Sequence, residues 1–173
     1  ILTTKLWEYN ILIIKRFICF SILLVGIVAP VYSNEQPSKL INEYSVKLLT
    51  EEDGFVSSEI YSIIQDKQGL LWFGTAENGV MRYDGRKITL YEYDSSNSNG
   101  LSQNDAGNLM LGHNGKVWVG TWGGGANLYD PQTGNFKNFT HDPLRADSIS
   151  SDRIQSLFHD QKGDVWLGSY DQG

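Results

Sequence analysis

Lys116 to Asp130, KVWVGTWGGGANLYD, is the stretch whose reading decides the fold. A close relative of it, LLWFGTAENGVMRYD at Leu70 to Asp84, carries its tryptophan 46 residues earlier, and DVWLGSYDQG from Asp164 carries one 48 residues later. Superposed on tryptophan, the three copies match Trp72, Trp118 and Trp166; Gly74, Gly120 and Gly168; and Thr75, Thr121 and Ser169. A glycine three residues before each tryptophan (Gly69, Gly115, Gly163) and another seven after it (Gly79, Gly125, Gly173) also align. Five columns recurring at one spacing mark a repeat unit. A period of about 40 to 50 residues is that of propellers, solenoids and arrays.

The content of each unit decides among these. Short runs rich in β-branched and aromatic residues, separated by turn signals, predict four strands per unit. In the first unit they are Ile60 to Gln65, Leu71 to Gly74, Val80 to Tyr83 and Ile88 to Tyr93; in the second, Ala106 to Leu111, Val117 to Gly120, Ala126 to Tyr129 and Phe136 to Phe139. Turns such as Asp66-Lys67-Gln68-Gly69 and Asp130-Pro131-Gln132-Thr133-Gly134 stand between them. Periodic leucines and 3.6-residue periodicity are missing, which disfavours helical and leucine-rich solenoids. Four antiparallel strands per repeat describe a propeller blade. The fold class is therefore all-β: a partial β-propeller of about three four-stranded blades, spanning 54–99, 100–147 and an incomplete 148–173. Before them, 34–53 forms a polar lead-in that contributes a first strand at Tyr44 to Leu49. GFVSSEI (Gly54 to Ile60), GLSQNDA (Gly100 to Ala106) and SISSDRI (Ser148 to Ile154) align as Ser/Asn/Asp-rich loops leading into each blade.

The pattern D-x-x-G-x-x-W-x-G-T followed by G-x-x-x-Y-D, with Ser-Ile-Ser-Ser before it, resembles the two-component regulator propeller repeat. Asp66 to Thr75 matches it fully and Asp160 to Ser169 matches with serine for threonine. The middle copy departs at Gly112, where the family has aspartate, so its first turn lacks that side-chain cap. The resemblance covers about Gly54 to Gly173. It implies the sensor part of a bacterial membrane receptor working as a homodimer, whose output is a histidine kinase, a hybrid kinase or a diguanylate cyclase. Kinase or cyclase activity would lie in downstream domains that these residues do not include, so no catalysis is expected of this chain. It also implies an unknown periplasmic small molecule as ligand, with carbohydrate one class, at the periplasmic face of the bacterial inner membrane. An exported propeller enzyme of streptogramin-lyase type and a protein-interaction propeller are the alternatives.

The ends of the chain agree with export. Lys15 and Arg16 precede FICFSILLVGIVA, then Pro30 and Val31-Tyr32-Ser33. That is the layout of a secretory signal over 1–33, cleaved after Ser33, since a spanning helix needs about 20 apolar residues. The rival is an uncleaved anchor. Cys19 in this leader is the single cysteine, so disulfides are excluded beyond it. Acidic residues outnumber basic ones by 20 to 14 over the chain. The leader holds three basic and one acidic, leaving a net charge of −8 downstream, which argues against nucleic acid as a partner. Membrane attachment is expected through a downstream segment. Three blades, against the four to eight with which propellers close, are expected to leave exposed edges and an unstable chain.

Candidate site residues come from strand parity. The loop between strands two and three leaves from the same end of the blade as the connection to the next blade. One face therefore collects 75–78, 121–124, 169–172 and the linkers 94–104 and 141–152. These segments differ between copies while the frame does not, and variable loops on a rigid scaffold are where binding residues sit. Glu77, Asn78, Trp122, Tyr170 and Asp171 are the candidate polar or stacking contacts. Trp72, Trp118 and Trp166 read as sheet-packing residues, whereas Trp122 falls outside the repeated column. Gly123-Gly124-Gly125 is followed by a strand, unlike a phosphate loop. His113, His141 and His159 lack metal-type spacing, and Asp160 to Asp164 lacks the ligands of a calcium loop. No catalytic residues, metal or cofactor are expected.

Overall fold

The computed structural model describes residues 45–57 and 59–172. The leader and most of the lead-in lie outside these residues. Among the described residues, ten strands follow a 3-10 turn at Glu51–Asp53. The first sheet is β1 (Ile60–Gln65), β2 (Leu71–Thr75), β3 (Val80–Tyr83) and β4 (Ile88–Tyr91); the second is β5 (Asn108–Leu111), β6 (Val117–Gly120), β7 (Ala126–Asp130) and β8 (Asn135–Phe139). Both are antiparallel meanders, and β9 (Ile154–His159) pairs with β10 (Val165–Ser169) as the start of a third. These are propeller blades, two complete and one of two strands.

The frame residues have visible reasons. Asp66 accepts hydrogen bonds from the backbone N–H of Gln68 and Leu70 and from the Trp72 indole N–H at 2.8 Å. Asp160 repeats this with Lys162, Asp164 and the Trp166 indole at 3.1 Å. Gly112 offers no carboxylate, and that turn closes instead as a short 3-10 segment, His113–Gly115. The threonine column caps the loop between strands two and three: Thr75 Oγ1 donates to the Gly79 carbonyl and accepts from the Asn78 N–H, as Thr121 does with Gly125 and Gly124. Gly79 and Gly125 stand at φ of 70° and 73°, where a Cβ would come within 2.1 Å of the carbonyl oxygen of Tyr91 or Phe139. Only glycine fits that approach.

The core lies between blades. Trp72, 1% exposed, faces the second blade and packs with Val117, Val119, Tyr129 and Phe136, while Leu101 plugs the connection into the same cluster. Its indole stacks on Tyr91 at 5.6 Å and meets Tyr129 edge-on at 5.0 Å. On the other side of the first blade, Phe73 and Met81 are covered by Leu49 from the lead-in and Phe55 from the loop that follows it. Along the shared seam the Ala106 N–H donates to the Thr75 carbonyl and the Gly79 N–H to that of Asn104; Ile154 to Thr121 and Gly125 to Asp152 repeat the pair one blade on. Each blade is thus stitched to the next at the same two points.

Three sequence expectations shift. Ser45 to Leu49 is not a strand, although Leu49 does join the core; Tyr44 lies outside the described residues. The fourth strand ends at Tyr91, because Tyr93 leaves the sheet to bridge Leu101 and to donate its N–H to Asn104 Oδ1. β5 begins at Asn108 rather than Ala106, since the Ala106 N–H is spent on the preceding blade.

Candidate functional site

The parity argument holds. β2 and β3, β6 and β7 join on the same side as the linkers, and the linker carbonyls of Asn104 and Asp152 accept N–H groups from Gly79 and from Gly123 and Gly125. One geometric device recurs in every blade. The residue after the threonine column donates its N–H to a carbonyl in the segment leading into the innermost strand: Ala76 to Glu59, Trp122 to Asp105, Tyr170 to Arg153. The device holds each variable loop against the start of its own inner strand. Glu59 and Ala76 line one depression, and Asp105 and Trp122 another.

Trp122, Tyr170 and Asp171 come together. The Trp122 and Tyr170 rings lie 4.8 Å apart at 59°, and the Arg153 guanidinium stands 5.8 Å from the Trp122 ring. Arg153 is ion-paired with Asp171 at 3.7 Å, and Asp171 also accepts from the Ser151 hydroxyl. Trp122 and Tyr170 remain 40% and 60% exposed despite these contacts. Two large aromatics held partly open by an ion pair are poised for stacking on a ligand. Glu77 and Asn78 are not in contact with this group. They line a shallow depression of about 140 Å³ with Ser57, Glu59 and Ala76.

Asp105 connects the two. Burial first, and then the charge of Glu77, push its carboxyl above the usual value of 3.8. It shares a cavity of about 420 Å³ with Trp122, Tyr61 and Gln155. A second cavity of about 260 Å³, lined by Gly123, His141, Ser151 and Asp171 among others, opens beside the Arg153 pair. Among the described residues no group of three His, Cys, Asp or Glu could hold a metal. Asp105 and Arg153 were missed by sequence reasoning, yet they fall in one aligned column, Glu59, Asp105 and Arg153, inside the loops that lead into the blades. A charged position that changes sign between copies was the signal.

Residues 54–77 and 148–171 match the family described as two component regulator propeller. A histidine kinase, P4, of Formosa agariphila is 31% identical over 120 residues, which cover 67% of this chain and 8% of that protein. Among solved structures, the extracellular domain of a hybrid two-component system from B. thetaiotaomicron is 25% identical, with a TM-score of 0.64 over 70% of this chain and 17% of that chain. A second hybrid-system extracellular domain from the same organism is 24% identical over 64% of this chain and 20% of its own, with a TM-score of 0.38. The chain spans 8% of the curated relative and 17% of the first solved domain.

Proposed function

Since the chain is built from repeats of the two-component regulator propeller family, we propose that it is a sensor propeller segment of a membrane signalling receptor, exported to the periplasmic side and binding its ligand on the variable-loop face. The observation that carries this reading is the division of labour in each repeat. The aligned tryptophans, glycines and threonines serve turns and blade packing, whereas the unaligned Trp122, Tyr170 and Asp171 converge with Arg153 on an open face. Likeness to an extracellular domain of a hybrid two-component system and to a histidine kinase supports the receptor context. In that context the chain binds and another part of the receptor performs the phosphorelay. An aromatic face with flanking hydrogen-bonding groups accepts small molecules, a sugar ring among them.

The test has two arms. Protease added outside spheroplasts should cleave the chain, and full protection would refute export. In a thermal-shift screen of glycans, peptides and small metabolites on the full chain, at least one compound should raise the melting temperature by an amount that Trp122→Ala abolishes. Shifts insensitive to Trp122, Tyr170 and Asp171 would remove the loop face from consideration.

A further inference from the structure

The 420 Å³ cavity opens between the innermost strands of successive blades, and its walls have a specific character. Tyr61 and Trp122 present aromatic surface, 64% and 40% exposed. Asn108 and Gln155 add amides, and Asp105 supplies the charge. Among the described residues no ion pair or side-chain hydrogen bond engages the Asp105 carboxylate. It lies within electrostatic reach of Glu77, likewise without a cation of its own.

Charge is divided unevenly between the two faces. The loop face comprises Glu59 and segments 76–79, 92–105, 121–125, 140–153 and 169–172; it holds nine carboxylates against two cations, Arg145 and Arg153. Both arginines are already paired, with Asp147 at 2.8 Å and Asp171 at 3.7 Å. The turns at the opposite face, 66–70, 84–87, 112–116, 130–134 and 160–164, hold five carboxylates against five Lys and Arg. A concave site on the acidic face therefore concentrates cations. Metal ions do not fit the set, because no three ligating side chains converge and a hard ion leaves the aromatic walls unused. An alkylammonium uses everything present, with its charge on the carboxylate and its methylenes and cationic end against the ring faces.

We propose that this cavity binds a small organic cation of the aliphatic amine or diamine class, with the ammonium on Asp105 and the chain laid across Trp122 and Tyr61. The proposal rests on the loop face being the ligand face and names the chemistry of its ligand. It also accounts for the unpaired carboxylate, whose elevated protonation in the free site an arriving cation would reverse. Binding should accordingly strengthen as pH rises through the Asp105 titration.

Calorimetry of the full chain at low ionic strength tests this with putrescine and its neutral counterpart butane-1,4-diol. Putrescine should bind and the diol should not. Asp105→Asn should weaken putrescine about tenfold, as expected for one charge-assisted hydrogen bond, and Trp122→Ala about threefold. Asp164→Asn, on the opposite face, should leave affinity unchanged. Equal binding of the diol, undiminished affinity in Asp105→Asn, or no putrescine heat up to ~10 mM (a −2.7 kcal/mol limit) overturns the proposal. If putrescine fails while a neutral or anionic compound gives a Trp122-dependent thermal shift, the cation class falls and the ligand face stands. If no compound gives one, both fall.

Discussion

Replacing Trp72 and Trp166 by alanine, one at a time, separates what a repeat column encodes from what its surroundings make of it. The two tryptophans occupy the same column and make the same indole bond to an aspartate, yet Trp72 is 1% exposed and Trp166 62%. Trp72→Ala removes a fully buried ring from between Tyr91 and Tyr129, which costs about 3–5 kcal/mol for the cavity with up to ~1 more for the aromatic pairs. Trp166 has about a third of that burial to lose, so its removal costs about 1–1.5 kcal/mol. The assay is urea unfolding followed by far-UV circular dichroism. With a slope of ~2 kcal/mol per molar urea, the midpoints should fall by about 2 M and about 0.6 M. Trp72→Phe, which keeps a ring in the seam but drops the indole N–H to Asp66, should fall between them. Equal midpoints for Trp72→Ala and Trp166→Ala would refute the assignment of the first seam as the stabilising core.

Three further outcomes are expected. Gly79→Ala should destabilise by more than ~2 kcal/mol, since left-handed strain adds to a Cβ placed 2.1 Å from the Tyr91 carbonyl oxygen, whereas Gly85→Ala, with open space around it, should cost only about 1 kcal/mol in the same urea assay. Asp84, Asp130 and Asp160 are held below the usual 3.8, chiefly by the Lys87 N–H, the Lys116 ammonium and the Trp166 indole respectively, so their stabilisation is complete above that value and is lost as pH falls through the lower folded values. A melting-temperature profile should therefore drop below about pH 4, and a flat profile there would contradict it. Asp105 has the opposite sign: its folded value is raised, chiefly by burial, so the stability it contributes is present at low pH and lost as pH rises through that value. Asp105→Asn should consequently melt higher than the parent chain at pH 7 and equal to it below pH 4, and a lower melting temperature at pH 7 would show that Asp105 supports the fold.

The contrast between Asp105 and Asp66 shows how far the site could be read. Asp66 recurs in the third copy as Asp160 with the same spacing to tryptophan, and its job, capping a turn and anchoring the indole, is local. Asp105 shares its column with Glu59 and Arg153, so its charge does not recur throughout, and nothing near it in the chain announces its neighbours. Glu77, 28 residues before it, and Tyr61, on the preceding blade's inner strand, reach it only because blades pack side by side. Trp122 was legible as the aromatic outside the column. Its partner Arg153 was not, because their bridge joins separate blades.

Sequence by itself determined the repeat, the all-β class, the strand order within a blade, and the side on which the variable loops emerge. These follow from β-branched and aromatic runs, turn chemistry and antiparallel parity, all of which act over a few residues. Tertiary structure alone decided which tryptophan is buried, where Leu49 and Leu101 seal the seams, and which loop residues meet. Those outcomes depend on the packing of one blade against the next, where contacts join residues as distant in the chain as Thr75 and Ala106 or Trp72 and Tyr129, and identical columns acquire different environments according to what lies beside them.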